Sequence, residues 1–147
     1  MELSLNHKIK DLEITMNQSS SYLFKVSTNF NGNKNYGMGS VIEFDNIIYC
    51  YPNINNYDIN NFNYIIPKNG IYYFTFNLSA NTQTNTQISL CKNSVPIAIT
   101  KNFQCFSNFD VCNEGDIISV SHYDGDNIVL NMDNLKCSFN GMMIKEL

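Results

Sequence analysis

Cys112 and His122 are the residues of this sequence whose types could carry out nucleophilic catalysis. A cysteine nucleophile needs a base such as imidazole beside it, and a third group must orient that base. The two residues flank Glu114-Gly115-Asp116, so a hairpin at this turn would bring them together. No glycine-rich oxyanion loop or acidic orienting residue accompanies them. We therefore expect no catalytic activity, and we place His122 at the exposed end of a strand.

The segment Asp124-Gly125-Asp126-Asn127 offers carboxylate and amide oxygens, which are suitable ligands for a hard cation. A calcium loop of the helix-loop-helix type needs more acidic positions over about twelve residues, and it needs flanking helices. A turn and a weak metal site both stay open, and we take the segment as a turn. We expect no cofactor and no metal dependence.

The cysteines are odd in number, and none of them forms a Cys-x-x-Cys pair. With only His7 and His122 available, the sequence indicates neither a zinc site nor a full disulfide framework. We expect mostly buried free thiols within strands, and a single disulfide stays open as an alternative. The five residues are Cys50, Cys91, Cys105, Cys112 and Cys137.

The elements that must position these side chains are strands. From Gly70 to Ala80, apolar residues alternate with mostly polar ones, as in a half-buried strand. Ile42, Phe44 and Ile48 repeat this rhythm earlier in the chain. Short strands at regular spacing predict an all-β fold, either an antiparallel sandwich or a barrel. The other predicted strands are Tyr22 to Thr28, Thr86 to Cys91, Val95 to Thr100, Phe106 to Cys112, Asp116 to His122 and Leu135 to Ile144.

The chain has 147 residues, of which 44% are apolar and 13% aromatic, so it is long and apolar enough for one folded domain. The first 20 residues differ from the rest, because Leu5, Ile9, Leu12 and Met16 follow heptad spacing. This pattern predicts a short helical neck over residues 1–20, before a head over residues 21–147. Two interpretations of the neck stay open, the end of an oligomerising stalk and an amphipathic or frayed tail.

Composition excludes several classes of partner. The net charge is −4 and every basic residue is Lys, so the bidentate phosphate contacts that Arg makes are absent. We therefore expect no nucleic acid partner. No apolar run approaches the roughly 18 residues of a membrane helix, so we expect no membrane insertion. Charged residues between Met1 and Met16 take the place of a signal-peptide apolar core, so we expect no signal peptide in this chain.

Tyr64 stands six residues before Gly70-Ile71-Tyr72-Tyr73-Phe74-Thr75-Phe76. This spacing resembles the signature of the C1q globular head, whose jelly-roll fold is shared with tumour necrosis factor. The resemblance extends from about Tyr22 to the C terminus, and it implies an antiparallel β-sandwich of jelly-roll topology. The residues that match the signature and its flanks are Phe44, Tyr57, Tyr64, Gly70, Tyr72, Phe74, Phe76, Gly115, Asp116, Phe139 and Gly141.

Three features depart from the signature. Cys50 stands where the signature has Asn or Asp, and the stretch that follows to Tyr57 is longer. Tyr64 replaces the usual Phe. Relatives that bind calcium at the trimer apex carry acidic residues ahead of the Gly-Asp turn, whereas Lys101 to Phe109 has none. We therefore carry over no calcium site.

The aromatic content predicts an interface. Nine Tyr and ten Phe occupy both faces of several strands, which is more than one core absorbs. Contiguous apolar patches outside the sandwich normally mark an interface, although surface Tyr can also be scattered singly. The resemblance implies a homotrimer packed along a common axis.

Two functions follow from the resemblance. The first is a trimeric recognition or adhesion head at the tip of a fibre or of a secreted protein, binding an unknown protein or glycan. The alternative is a structural trimerisation or capping domain of a filament on a virus or spore. Either implies an extracellular or particle-surface location. We expect apical contacts from the loops Phe30 to Tyr36, Cys50 to Asn61 and Tyr123 to Asn134. The candidate contact residues are Asn33, Asn53, Asn55, Asp124, Asp126 and Asn127.

Overall fold

The computed structural model describes residue 8 and residues 22–29, 32–79, 86–101, 105–131 and 137–147. The predicted neck therefore lies outside the described residues, apart from residue 8. The described ranges hold twelve strands and one short 3-10 helix. The elements are β1 (Leu23–Ser27), β2 (Asn33–Tyr36), β3 (Asn46–Tyr51), η1 (Ile54–Asn56), β4 (Tyr57–Asp58), β5 (Asn63–Ile65), β6 (Gly70–Asn77), β7 (Thr86–Lys92), β8 (Val95–Lys101), β9 (Cys105–Cys112), β10 (Ile117–Gly125), β11 (Ile128–Asn131) and β12 (Ser138–Glu146).

Ten of these strands form two antiparallel five-stranded sheets. Sheet I has the order β3-β1-β12-β6-β9, and sheet II has the order β4-β5-β10-β7-β8. Apart from the β4-β5 and β7-β8 pairs, neighbouring strands within each sheet are distant in sequence, which is the crossing connectivity of a jelly roll. The strands β2 and β11 pair with each other in a separate ribbon. The all-β sandwich predicted from the sequence is confirmed.

The core lies between the two sheets and is filled by alternate residues of each strand. In β6, Tyr72, Phe74 and Phe76 point inward and are fully buried. The ring of Phe24 from sheet I stacks on the ring of Tyr64 from sheet II, with centroids 4.0 Å apart. Such rings bury large apolar areas and interlock in offset geometries. One continuous aromatic cluster therefore holds the two sheets together.

The sandwich has two ends, which we call basal and apical. At the basal end, Gly70 at the start of β6 pairs with Glu146, and the Leu147 N–H donates to the Asn69 carbonyl at 3.0 Å. The C terminus therefore lies at the basal end. At the apical end, Ser138 lies between Ser27 and Asn77, and β10 ends beside the start of β7.

Two predictions about individual elements are wrong. Ile42 and Phe44 do not share a strand with Ile48, because the segment that carries them crosses from sheet II to sheet I. Both are buried without belonging to a named strand, whereas Ile48 in β3 is exposed. In addition, two of the predicted apical loops contain strands: β2 lies in the loop Phe30 to Tyr36, and β11 lies in the loop Tyr123 to Asn134. The Asn-rich β2 has low strand propensity, so its pairing with β11 left no local signal.

Candidate functional site

Cys112 and His122 do not form a catalytic pair. Cys112 ends β9 and pairs with Gly70 at the basal end, whereas His122 lies near the apical end of β10, opposite Ile88. The chain between them crosses from sheet I to sheet II and does not form the expected hairpin. Burial and the Asp110 carboxylate raise the pKa of the Cys112 thiol to about 12. A protonated, buried thiol is a poor nucleophile.

His122 is buried, so its predicted position at an exposed strand end is wrong. It continues the inward-facing set of β10, which places the ring under the turn that follows. Its Nε2 lies 2.8 Å from the carbonyl oxygen of Asp126, which also accepts a hydrogen bond from Thr86 Oγ1 at 2.8 Å. Because a carbonyl only accepts, Nε2 must carry the proton. His122 therefore fastens the apical turn to the core.

The segment from Asp124 to Asn127 forms a turn. Asp124 still pairs with Gln87 in sheet II, and Gly125 takes a positive φ of 97°, which favours glycine. Asp126 and Asn127 are exposed and lead into β11. Among the described residues, no group of three or more His, Cys, Asp or Glu side chains could hold a metal ion.

A second turn, Gly37 to Ser40, lies against the end of β10. Its Gly39 has a φ of 87°, and its Ser40 N–H donates to the Gly37 carbonyl at 3.1 Å. The Gly39 N–H donates to the His122 carbonyl at 2.9 Å, which fixes the turn to sheet II. Met38 projects from this turn with its side chain 66% exposed. We did not predict a role for Met38, although an apolar residue between two glycines indicates an exposed turn.

The six candidate contact residues do not lie together. Asn33 on β2 and the residues Asp124, Asp126 and Asn127 are exposed at the apical end. Asn53 and Asn55 lie at the basal end, because β3 runs antiparallel to β1 and ends beside Leu23. The Asn53 side chain accepts a hydrogen bond from the Asn55 N–H at 2.9 Å and caps η1. Their assignment to an apical loop is therefore wrong.

The cysteines differ from the prediction at two positions. Cys91, Cys112 and Cys137 are buried in strands or beside them, as expected for small apolar side chains. Cys105, at the start of β9, is exposed, and Cys50 is half-buried. The Cys105 thiol is therefore the most accessible of the five.

The signature glycines stand where other atoms come close. A methyl group at Gly141 would lie 2.7 Å from ring atoms of both Phe24 and Phe74. A methyl group at Gly70 would lie 2.6 Å from the Lys145 carbonyl oxygen. Neither contact is possible without moving the core or a neighbouring strand. Gly141 therefore lets β12 pack against the aromatic core, and Gly70 lets β6 lie close to β12.

The signature tyrosines differ in what their hydroxyl groups bind. The Tyr57 hydroxyl donates to the Phe44 carbonyl at 2.7 Å, and the Tyr72 hydroxyl donates to the Lys68 carbonyl at 2.8 Å. The Tyr64 hydroxyl is buried and has no hydrogen-bond partner among the described residues. Burial raises the pKa of all three tyrosines above its usual range, so they stay neutral. The signature position that usually holds Phe thus carries an unsatisfied hydroxyl here.

Gly115 and Asp116 build the basal crossing between the sheets. Gly115 takes a φ of 90°, and the Asp116 carboxylate accepts hydrogen bonds from the Asn113 N–H at 2.8 Å and the Asn93 side chain at 2.9 Å. Desolvation raises the pKa of Asp116, but these two hydrogen bonds and the nearby Lys92 charge outweigh it and lower the pKa overall. Asp116 therefore stabilises the turn as an ionised hydrogen-bond acceptor.

The outer face of sheet I carries large apolar side chains at its basal end. One row across the strands runs Leu23, Met142, Tyr73, Phe109. Phe109 is 62% exposed, and the Tyr73 ring, 4.6 Å away between centroids, packs against it. We call this surface the basal apolar face, and its residues are Leu23, Tyr73, Phe109, Val111, Met142 and Ile144. The next row towards the apical end is polar, and its Thr75 hydroxyl donates to Asn140.

Comparison with known proteins agrees with this geometry. The family profile described as the C1q domain matches residues 14–146. The globular domain of zebrafish complement 1qA protein is similar in structure, with a TM-score of 0.65 and 15% identity over 86% of this chain and 99% of that chain. Eiger TNF from S. frugiperda gives a TM-score of 0.63 and 10% identity over 86% and 95% of the two chains. Murine APRIL gives a TM-score of 0.60 and 10% identity over 83% and 98%.

At these identities the structural similarity concerns the fold alone. No curated protein is significantly similar in sequence. Within the described residues, no helix has the length and apolar character needed to cross a membrane. The resemblance drawn from Tyr64, Gly70 and the alternating aromatic residues of β6 is confirmed by the family match. The chain belongs to the C1q domain family.

Proposed function

We propose that the protein is a non-catalytic recognition head that assembles as a homotrimer through sheet I and binds a partner at its apical end. The observation that carries this proposal is the basal apolar face. Phe109, Val111 and Met142 on this face are 62%, 55% and 46% exposed in a single copy. A contiguous apolar surface of this kind normally marks a protein interface.

A closed ring is the assembly that removes this surface from water. If three copies turn sheet I towards a common axis, each basal apolar face is covered by its neighbours and no copy offers a free apolar edge. An obligate interface of this type buries on the order of 2,000 Å² or more. The polar row of Thr75 and Asn140 then lies nearer the apical end, where water can reach it.

The apical end is the proposed recognition surface, because it lies opposite the C terminus and beyond the basal apolar face. It carries exposed turns outside the packed interior, and functional residues concentrate on such loops. Three copies of the same turn would convert weak contacts into useful avidity. We propose an extracellular or particle-surface location for such a head.

The absence of catalysis remains part of the proposal. Its support is that the Cys112 thiol and the His122 ring lie at opposite ends of the sandwich, and that Nε2 of His122 is used in a structural hydrogen bond. Neither side chain is available to activate the other. A selective reaction of Cys112 with a mild electrophile would contradict this part of the proposal.

Light scattering tests the assembly directly. The wild-type protein should show three times the 16.8 kDa mass of one chain. Phe109→Asp places a charge in the centre of the basal apolar face and should reduce the mass to that of one chain. Tyr123→Asp is the matched control, because Tyr123 is an exposed aromatic residue on sheet II, and it should leave the trimer intact.

Two results would contradict the proposed assembly. One is a wild-type mass of one or two chains at micromolar concentration, and the other is a Phe109→Asp protein that keeps its mass. Deleting residues 1–19 should leave three chains in each particle, because two heptads are too short to associate alone. Loss of the trimer on this deletion would assign assembly to the neck.

A purely structural capping role is the second candidate, since the basal apolar face by itself would suffice for it. The two candidates differ at the apical end, which only a recognition head needs. Screening the trimer against protein and glycan arrays distinguishes them. A recognition head binds a component of the arrays and loses that binding on apical substitution, whereas a cap binds none.

A further inference from the structure

Two adjoining backbone segments at the apical end each carry an exposed apolar side chain. Met38 is 66% exposed and Tyr123 is 43% exposed. The hydrogen bond from the Gly39 N–H to the His122 carbonyl brings the Met38 turn alongside Tyr123. Asn127 lies on the other side of the same turn, with its Oδ1 3.5 Å from the position of a methyl group on Gly37.

This surface is held in place by the core beneath it. His122 pairs through its backbone with Ser40 at 2.8 Å, and through its ring with the Asp126 carbonyl at 2.8 Å. Thr86 Oγ1 holds the same carbonyl from β7. The buried histidine therefore ties the Met38 turn and the Asp126 turn to one strand, so that the two turns face outward as a unit. Such preorganisation lowers the entropic cost of binding.

Two carboxylates add negative charge to this surface. Asp124 and Asp126 are exposed, and within the described residues neither carboxylate has an ion pair or a side-chain hydrogen bond. The neighbouring lysine on β2, Lys34, is already paired with Glu43. The other described ion pairs, of Lys68 and Lys92, lie towards the basal end.

We propose that Met38, Tyr123, Asp124 and Asp126 form an apical docking patch for a basic protein segment in which Lys or Arg alternates with apolar side chains. This proposal rests on the proposed recognition function and names its partner class. Met38 and Tyr123 receive the apolar side chains of the segment, since a flexible thioether and an amphipathic ring adapt to varied apolar surfaces. The two carboxylates receive its cations and set its orientation.

A defined peptide tests the patch on the intact protein. The probe is a fluorescein-labelled synthetic peptide of alternating Lys and Leu, titrated by fluorescence anisotropy at low and at high salt. Two comparison peptides separate the contributions: alternating Lys and Gly keeps the charge alone, and alternating Glu and Leu reverses it. We expect the Lys-Leu peptide to bind at least about tenfold more tightly than either, because buried apolar anchors carry most of the affinity at such contacts.

Substitutions assign the binding to the patch. Met38→Ser should weaken the Lys-Leu peptide by at least about tenfold. Asp124→Asn combined with Asp126→Asn should weaken it at low salt and remove most of its salt dependence. The matched controls lie at the basal end and should change nothing: Ile54→Ser alters another exposed apolar side chain, and Glu114→Gln removes another exposed carboxylate.

Each alternative outcome overturns the proposal. Equal binding of the Lys-Leu and Lys-Gly peptides, or equal loss in the Ile54→Ser protein, reduces the effect to general attraction by an acidic protein. Failure of the peptide to bind, with a neutral glycan bound in its place and lost in Met38→Ser, identifies a carbohydrate site. Light scattering separates failure of the docking patch from failure of the proposed assembly. A trimer that does not bind the peptide overturns the docking patch alone, whereas a single-chain mass overturns the proposed assembly.

Discussion

The interior of the sandwich and the basal apolar face are built from alternate residues of the same strands, yet only the interior is complete in one copy. In β6, Tyr72 and Phe74 point inward and are fully buried, whereas Tyr73 points outward. Inside, the Phe24 ring contacts the rings of Tyr64, Phe74 and others across the core. Outside, the half-buried Tyr73 ring packs against Phe109, which remains open to solvent.

This difference separates the residues that stabilise the fold from those of the proposed assembly. A strand that is apolar on one face only finishes its burial when the domain folds, whereas a strand that is apolar on both faces needs a second layer outside. In the middle of sheet II, the outward residues are small, such as Ser89, Ser119 and Ser121. Sheet I therefore carries the proposed assembly surface, and changes to its inner and outer residues should have separable effects.

The largest expected contrast is between an inner and an outer cysteine. The pKa of Cys112, raised by burial and by Asp110 to about 12, lowers its thiolate fraction at neutral pH about a thousandfold relative to an ordinary thiol. Burial raises the pKa of Cys137 as well. Iodoacetamide under native conditions should therefore label exposed Cys105 first and leave Cys112 unmodified. Peptide mass mapping over time measures both rates.

The proposed assembly provides the control for this comparison. In the Phe109→Asp protein, which we expect to be a single chain, no neighbouring copy covers Cys105, so its labelling rate should be that of the free chain. Cys112 should stay unmodified in both proteins, because its own core covers it. Rapid labelling of Cys112 in either would show that the interior opens readily and would undo the contrast.

A methyl group added to the interior should have the next largest effect. Gly141→Ala places its Cβ 2.7 Å from the rings of Phe24 and Phe74, and neither ring has room to withdraw. We expect a loss of about 3 kcal/mol in the free energy of unfolding, at the upper end of the cost of overpacking. Urea denaturation followed by tyrosine fluorescence measures this loss.

Gly37→Ala is the matched control for Gly141→Ala. Among the described residues its Cβ would meet only Asn127 Oδ1, at an ordinary contact distance of 3.5 Å, so stability should change by less than about 0.5 kcal/mol. A similar loss in both variants would show that general backbone effects, not core contacts, decide the outcome.

The sequence predicted the interior better than it predicted the apical end. Period-2 alternation marks inward positions directly, which is why Tyr72, Phe74 and Phe76 were assigned to the core. The end at which a loop lies depends on the order and direction of distant strands, so Asn53 was placed at the wrong end. The burial of His122 was missed because the continued alternation of β10 was outweighed by the polar character of its side chain.

Two hydroxyl deletions inside the core should have opposite signs. Tyr57→Phe leaves the Phe44 carbonyl without its donor and should cost about 1–2 kcal/mol. Tyr64→Phe removes a buried hydroxyl that has no partner in the described part of the chain, and it restores the residue usual in the signature, so stability should rise by about 1 kcal/mol. Thermal unfolding of the two variants side by side measures the difference. Destabilisation by Tyr64→Phe would show that this hydroxyl is hydrogen-bonded in solution.

The smallest effect concerns the basal crossing, which joins β9 of sheet I to β10 of sheet II. Because the pKa of Asp116 is lowered in the folded protein, its contribution to stability is complete above the usual carboxyl range near pH 4 and is lost as the pH falls through the lowered pKa. Asp116→Asn should therefore cost about 0.5 kcal/mol at neutral pH, a value reduced for solvent screening, and this difference should vanish near pH 2. Urea midpoints measured from pH 7 to pH 2 follow the convergence.

Asp58→Asn is the control for Asp116→Asn. Hydrogen bonds from Asn61 and Asn60 also lower the pKa of Asp58. Asp58 lies in an exposed local turn that joins no sheets, so the effect of its substitution should be smaller. Equal pH dependence in the two variants would mean that the crossing at Asp116 adds nothing beyond an ordinary surface turn, and that the union of the sheets depends on the aromatic interior alone.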